Sequence, residues 1–93
     1  MSEDLERAIR IAAEVLKAEG AREVYLFGSL AKGRERAESD IDLAVSGLPE
    51  RKFFHAMARA HRAIGRSLDL IDLDENTPFV QFLREHDCLK LVG

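Results

Sequence analysis

Hydrophobic positions along the chain follow two different periods, and this pattern predicts alternating helices and strands. Apolar residues recur every three or four positions, as on one face of an amphipathic helix, over residues 3–19, 50–65 and 78–86. They alternate with polar residues or form short runs, as in strands, over residues 23–27, 40–45, 67–73 and 88–92. One helical turn is also expected within residues 29–39. The resulting order, α-β-α-β-α-β-α-β, predicts one sheet with helices packed on it, in the α/β or α+β class.

Composition and charge narrow the class of protein. The 93 residues are 46% hydrophobic and 33% charged, which is typical of a soluble globular chain, and we expect a single domain over residues 1–93. No apolar run approaches the roughly 20 residues that span a bilayer, and the acidic N-terminus does not resemble a signal peptide. The lone Cys88 cannot form an internal disulfide, so a cytoplasmic location is expected. The net charge of −3 argues against strong nucleic-acid binding.

Three acidic residues lie in otherwise apolar strands. Asp40 and Asp42 share one face of a predicted strand, with their positions roughly 6.5–7 Å apart along the chain. Two such anions repel each other and resist burial, and a divalent cation such as Mg²⁺ would relieve that repulsion. Asp69 lies in a second predicted strand, between Leu68 and Leu70. If the two strands are neighbours, the three carboxylates converge and suit phosphoryl or nucleotidyl transfer.

Gly28 and Ser29 end the first predicted strand and supply a second candidate feature. A glycine followed by a serine at this point lets backbone N–H groups approach phosphate oxygens closely. Lys32, Arg34 and Arg36 follow and add positive charge. Each feature also has an ordinary explanation: Asp-x-Asp on an exposed strand face, Gly-Ser in a turn, or Asp69 as a charge that protects a sheet edge. Their combination at one spacing favours a functional site.

The two motifs together resemble a known family. Gly28-Ser29-Leu30-Ala31-Lys32-Gly33 followed by Ser39-Asp40-Ile41-Asp42-Leu43-Ala44-Val45 is similar to the signature of the minimal nucleotidyltransferases (MNT) of the DNA polymerase β-like superfamily. The spacing, Gly-Ser, ten residues, then Asp-x-Asp, is that of MntA-type antitoxins. This resemblance implies a nucleotidyltransferase fold with a mixed sheet of about four strands. It spans nearly the whole chain and is more specific for the superfamily than for the substrate.

The resemblance also implies roles for individual residues. Asp40 and Asp42 would be ligands of one or two Mg²⁺ ions, and Asp69 would be a third ligand or the base for the incoming hydroxyl. Asp72, on the same strand, competes for that third role, but strand parity places it on the opposite face, which favours Asp69. ATP would be the substrate. The nucleotide-binding candidates are Gly28, Ser29, Lys32 and Ser39.

The function implied by the resemblance is transfer of AMP from ATP to a protein hydroxyl. The expected partner is a helical HEPN-type toxin, with the present chain as its antitoxin and a tyrosine of the toxin as acceptor. Two alternatives remain open: a non-catalytic antitoxin that inhibits its partner by occlusion, and a small-molecule transferase of the aminoglycoside-modifying kind. The oligomeric state is also open.

Several further residues have simpler expected roles. His61 is expected to be partly buried on its helix, and Cys88 to be a small hydrophobic residue of the core. Tyr25 is expected to pack in the sheet rather than to be a modification target. Four phenylalanines are most simply core residues, with an exposed partner patch as the alternative. They are Phe53, Phe54, Phe79 and Phe82.

Overall fold

The computed structural model describes residues 3–28 and 40–93, and its helices and strands follow the predicted order. The helices are α1 (Glu3–Ala18), α2 (Phe53–Ile64), which a 3₁₀ turn over Glu50–Lys52 precedes, and α3 (Pro78–Glu85). The strands are β1 (Glu23–Leu26), β2 (Ile41–Ser46), β3 (Leu68–Asp72) and β4 (Lys90–Leu91). The helical turn expected within residues 29–39 lies outside the described residues.

The four strands form one mixed sheet in the order β3-β2-β1-β4. β1 pairs antiparallel with both β2 and β4, whereas β2 and β3 run parallel. The parallel pair is joined by a crossover through α2, as a parallel connection requires. The predicted α/β class and mixed four-stranded sheet are therefore confirmed.

One face of the sheet is covered by α1 and α2, and the main core lies between these layers. Ile41, Leu43 and Val45 of β2 are fully buried in this core, together with Val24 and Leu26 of β1. α2 ends at Gly65, whose φ of +66° is the left-handed conformation that closes a helix. Among the described residues, no helix is long and apolar enough to cross a membrane.

The opposite face is covered by the short helix α3. Thr77 caps this helix by accepting a hydrogen bond from the Val80 N–H at 3.1 Å, and Pro78 begins its first turn. A smaller cluster joins α3 to the sheet through Val80 and Leu83. Its other buried members are Phe27, Ala44 and Leu73, and Tyr25 and Cys88 pack against it from partly buried positions. α3 has only eight residues, so this face offers the more accessible place for a site.

Three of the four phenylalanines are exposed, so the expectation that they belong to the core was wrong for them. Phe54, Phe79 and Phe82 are 75%, 50% and 51% exposed, and only Phe53 packs partly buried against the main core. The reason is that smaller residues make the helix contacts. α2 is buried through Ala56 and Ala60, and α3 through Val80 and Leu83. His61 is likewise exposed, contrary to expectation.

Candidate active site

Two of the three predicted acidic residues lie side by side in the sheet. Asp42 of β2 and Asp69 of β3 are register partners in the parallel pair. Neighbouring strands are about 4.8 Å apart, and directly opposed residues project from the same face of a sheet. That face is the one with α3, because Ala44 and Leu73 carry the same strand parity as the two aspartates and lie in the smaller cluster. The condition for Asp42 and Asp69 to lie close together, that the two strands be neighbours, is therefore met.

The electrostatic environment of Asp42 reflects this neighbour. Its pKa is raised above the ordinary value, first because burial disfavours its charged form. The charge of Asp69, a hydrogen bond with the Asp69 side chain and the charge of Asp40 raise the pKa further. A second negative charge is therefore costly at this point, and a cation or a shared proton would lower that cost.

Asp40 is exposed and immediately precedes β2, two residues from Asp42. Its charge is close enough to raise the pKa of Asp42. Within residues 3–28 and 40–93, however, no three His, Cys, Asp or Glu side chains are arranged to hold one metal ion together. The donor chemistry still suits Mg²⁺, which binds through one or two carboxylates and completes its coordination with substrate phosphates and water. The convergence of all three carboxylates on one ion stays a prediction.

Gly28 lies directly against the Asp42 carboxylate. A Cβ atom placed on Gly28 would come within 2.5 Å of Asp42 Oδ2, and the residue has a φ of +78°, where side chains are strained. The preceding Phe27 N–H donates to the Asp42 carbonyl at 3.0 Å, which holds the end of β1 beside β2. Glycine is favoured here by its positive φ, and a larger residue would force the Asp42 carboxylate to move. The phosphate contact predicted from the sequence stays a prediction. The other predicted nucleotide-binding residues, Ser29, Lys32 and Ser39, lie outside the described residues.

Asp72 has a different environment from Asp69. Its Oδ1 accepts a hydrogen bond from the Asp74 N–H at 2.9 Å, and Asp74 in turn accepts from the Gly47 N–H at 2.8 Å. Asp72 pairs with Val45 in the sheet register, at the opposite parity from the Asp42–Asp69 pair. Asp72 therefore stabilises the turn after β3, and Asp69 is the residue that adjoins Asp42.

The structure also places an aromatic pair beside the carboxylates. Phe27 shares the α3 face of the sheet with Asp42, and its ring makes an edge-to-face contact with Phe79 at a centroid distance of 5.9 Å. Sequence reasoning missed this neighbour of the site. The only signal was the position of Phe27 directly before Gly28, since alternation along β1 puts its side chain on the acidic face.

The comparisons with known proteins agree with this geometry. The family model described as polymerase beta, nucleotidyltransferase matches residues 10–88, so the chain belongs to the polymerase β-type nucleotidyltransferase family. The predicted superfamily is thereby confirmed. A comparison with curated proteins gives no match.

Solved structures with the same fold include MNT proteins. A toxin–antitoxin with AMP-PNP has a TM-score of 0.68 and 25% identity over 92% of this chain and 70% of its own. A protein assigned as a minimal nucleotidyltransferase has a TM-score of 0.72 and 22% identity over 100% of this chain and 96% of its own. A tri-AMPylated Shewanella oneidensis HEPN toxin in complex with an MNT antitoxin has a TM-score of 0.60 and 23% identity over 92% and 66%. The predicted nucleotidyltransferase fold is therefore confirmed.

Proposed function

We propose that this protein is a Mg²⁺-dependent adenylyltransferase that moves AMP from ATP to a hydroxyl group of a partner protein. The observation that carries the proposal is the Asp42–Asp69 pair, held side by side on an accessible sheet face with Gly28 against it. Two similar structures support the choice of nucleotide and acceptor, because one was solved with AMP-PNP and the other contains an AMPylated HEPN toxin.

The aspartates have separate proposed roles. Asp40 and Asp42 bind the metal, and Asp69 is a further ligand or accepts the proton of the attacking hydroxyl. When bound, one or two Mg²⁺ ions would offset the triphosphate charge and stabilise the charge that develops on the leaving group. The hydroxyl oxygen forms a bond to the α-phosphorus of ATP as the bond from that phosphorus to the bridging oxygen breaks. Pyrophosphate leaves, and the hydroxyl proton passes to Asp69.

The nucleotide is held by the segment that begins at Gly28. Gly28 lets the chain approach the carboxylates, and Ser29, Lys32 and Ser39 are proposed to contact the triphosphate. The partner is proposed to be a HEPN-type toxin that the transfer inactivates, in the cytoplasm, where the lone Cys88 stays reduced.

Transfer of radiolabel tests this function. The protein is incubated with α-labelled ATP, Mg²⁺ and the protein encoded by the adjacent reading frame, and label on that protein is measured. Asp42→Asn and Asp69→Asn should each lower the rate by about 100-fold or more, because each removes a charge used in the reaction. Asp4→Asn is the control for net charge, since it removes one negative charge from the exposed first turn of α1 and should transfer at the normal rate. Normal transfer by Asp42→Asn would refute the assignment.

The exposed aromatic residues favour a second candidate function, inhibition of the partner by occlusion alone. Phe54, Phe79 and Phe82 offer apolar area that a bound protein would cover. An Asp40→Ala/Asp42→Ala variant separates the two functions in cells that produce the partner. Full neutralisation of the partner's toxicity by this variant would establish occlusion, whereas loss of neutralisation with retained binding would establish transfer.

A further inference from the structure

A groove of about 310 Å³ follows the outer edge of β3. Its floor is formed by the strand at Leu70 and Ile71. One wall comes from the beginning of α2, with Phe53 and Phe54, and the other comes from the beginning of α3, with Phe79. We call this feature the β3-edge groove. Its walls belong to helices on opposite faces of the sheet, so the groove is centred on the strand edge.

β3 is the terminal strand of the sheet in the part of the chain that the structure describes. In the parallel ladder, the Ile41 N–H donates to the Ser67 carbonyl at 3.1 Å, and the Leu73 N–H donates to the Val45 carbonyl at 2.8 Å. Alternate residues of β3 thus bond to β2, and the backbone groups of Leu68 and Leu70 are directed to the outer side. Such an edge is a template for another strand.

The charge of the β3-edge groove determines which partner fits it. Glu50, Asp72 and Glu75 line it, and no lysine or arginine does among the described residues. A second copy of this chain would bring the same three acids to the interface, and the repulsion would oppose pairing. The complementary occupant carries apolar side chains for the phenylalanines and lysine or arginine for the acids.

We propose that the β3-edge groove binds an extended, basic segment of a partner protein, which adds a fifth strand beside β3. Its backbone pairs with the outer edge at Leu68 and Leu70, its apolar side chains contact Phe54 and Phe79, and its basic side chains face Glu50 and Glu75. Asp69 directly precedes Leu70 on the same strand, so the bound segment passes close to the acidic pair. The binding of such a segment does not depend on the proposed function. The further step, in which the segment delivers the acceptor hydroxyl, rests on the proposed function.

Peptide binding tests the side-chain contacts. The probe is a fluorescein-labelled peptide of about six residues, the usual strand length, in the order valine-valine-lysine-lysine-valine-valine, so that each face of the strand carries both valine and lysine. Its binding is followed by fluorescence anisotropy. Phe54→Ser should weaken binding about 10-fold, whereas Phe82→Ser, which removes an exposed phenylalanine outside the groove, should not. Glu75→Lys should weaken binding more than Glu14→Lys, although each replaces one negative charge by one positive charge. Equal effects within either pair would overturn the proposal.

Backbone pairing needs a separate readout. Amide hydrogen exchange measured by NMR should slow at Leu68 and Leu70 when the peptide is added, and a peptide with N-methylated backbone amides should bind at least 10-fold more weakly. Binding without protection at these amides would overturn strand addition. Concentration-dependent self-association of the chain alone, abolished by Phe54→Ser, would identify a second copy as the occupant and would also overturn it.

These measurements use no nucleotide, so they are independent of catalysis. Asp42→Asn should bind the peptide normally while it fails to transfer label. Loss of peptide binding in Phe54→Ser together with loss of partner labelling supports the groove as the docking site of the acceptor. Normal partner labelling by Phe54→Ser at limiting partner concentration would refute that role, whatever the peptide result.

Discussion

Replacing Asp69 by asparagine should stabilise the folded protein at neutral pH while it abolishes the proposed transfer. The physical reason is that Asp42 and Asp69 are directly opposed on adjacent parallel strands, and Asp40 adds a third negative charge nearby. Asparagine retains the shape and hydrogen-bonding capacity of the side chain but removes its charge. The substitution therefore isolates the cost of placing two like charges side by side.

The magnitude follows from the spacing of the strands. Two unit charges about 4.8 Å apart repel by about 3.5 kcal/mol at an effective dielectric constant of about 20. Asp69 is exposed and Asp42 is only partly buried, so solvent screening reduces this value substantially. Directly opposed charge pairs in sheets contribute about 0.2–1 kcal/mol. We expect Asp69→Asn to raise the free energy of unfolding by about 0.5–1 kcal/mol, which corresponds to roughly 2–8 °C in melting temperature for a chain of this size.

Urea unfolding at several pH values measures the effect. The pKa of Asp42 is raised in the folded protein above the ordinary value of 3.8, so the folded state retains this proton to a higher pH than the unfolded state does. The wild-type protein therefore loses stability from this pair as the pH rises through the raised pKa. Below pH 3.8 the Asp42 carboxyl is protonated in both states, and the wild-type and Asp69→Asn proteins should be equally stable. The advantage of the variant should appear only as the pH approaches neutrality.

Asp72→Asn is the control for net charge, since it removes one negative charge from the other face of the same strand. Asp72→Asn should not reproduce the pH-dependent gain in the free energy of unfolding. A loss of stability in Asp69→Asn, or a gain of the same size at every pH, would refute the reasoning that Asp42 and Asp69 repel each other in the folded protein.

Three further variants or conditions have defined outcomes. Gly28→Ala and Gly65→Ala should each cost about 1 kcal/mol in urea unfolding, because both residues have a positive φ. Only Gly28→Ala should abolish transfer, because its Cβ forces the Asp42 carboxylate to move away. Thr77→Ala should cost about 1 kcal/mol through loss of the α3 cap, and Thr77→Ser should restore most of it in thermal melts followed by circular dichroism. Millimolar Mg²⁺ should raise the melting temperature of the wild type but not of Asp42→Asn, whereas equal shifts in both proteins would place the ion elsewhere.

Much of the fold could be predicted because the burial pattern follows a simple period. Ile41, Leu43 and Val45 alternate with more polar positions, and all three are buried in the main core. The parallel pairing of β2 and β3 could not be predicted, since strand periodicity determines which face a residue occupies and not which strand lies beside it. The proximity of Asp42 to Asp69 was accordingly conditional on the strands being neighbours.

The candidate site was predictable where it depended on parity and unpredictable where it depended on close contact. Parity separated Asp69 from Asp72, and the structure places Asp69 opposite Asp42. The position of Gly28 against Asp42 Oδ2 depends on how the end of β1 lies beside β2. No local sequence pattern predicts that placement. The exposure of Phe54 was missed because helical spacing identifies an apolar face but not its width. The face of α2 that packs on the core contains Phe53, Ala56, Met57 and Ala60, and Phe54 lies outside it.

The features that weaken this small fold coincide with those that the proposed reaction needs. The acidic pair raises the energy of the folded state at neutral pH, and Gly28 has no side chain beside it. Within residues 3–28 and 40–93, β3 has no strand on its outer side, along the β3-edge groove. Each feature would be stabilised by a ligand of matching chemistry: a cation and triphosphate at the carboxylates, and a basic strand at the edge. Since Asp69 and Leu70 are consecutive on β3, the two ligands would meet on one strand. A triphosphate with one Mg²⁺ keeps a net negative charge, which attracts a basic segment bound beside it. Binding of either ligand should therefore favour binding of the other, by the same factor in both directions.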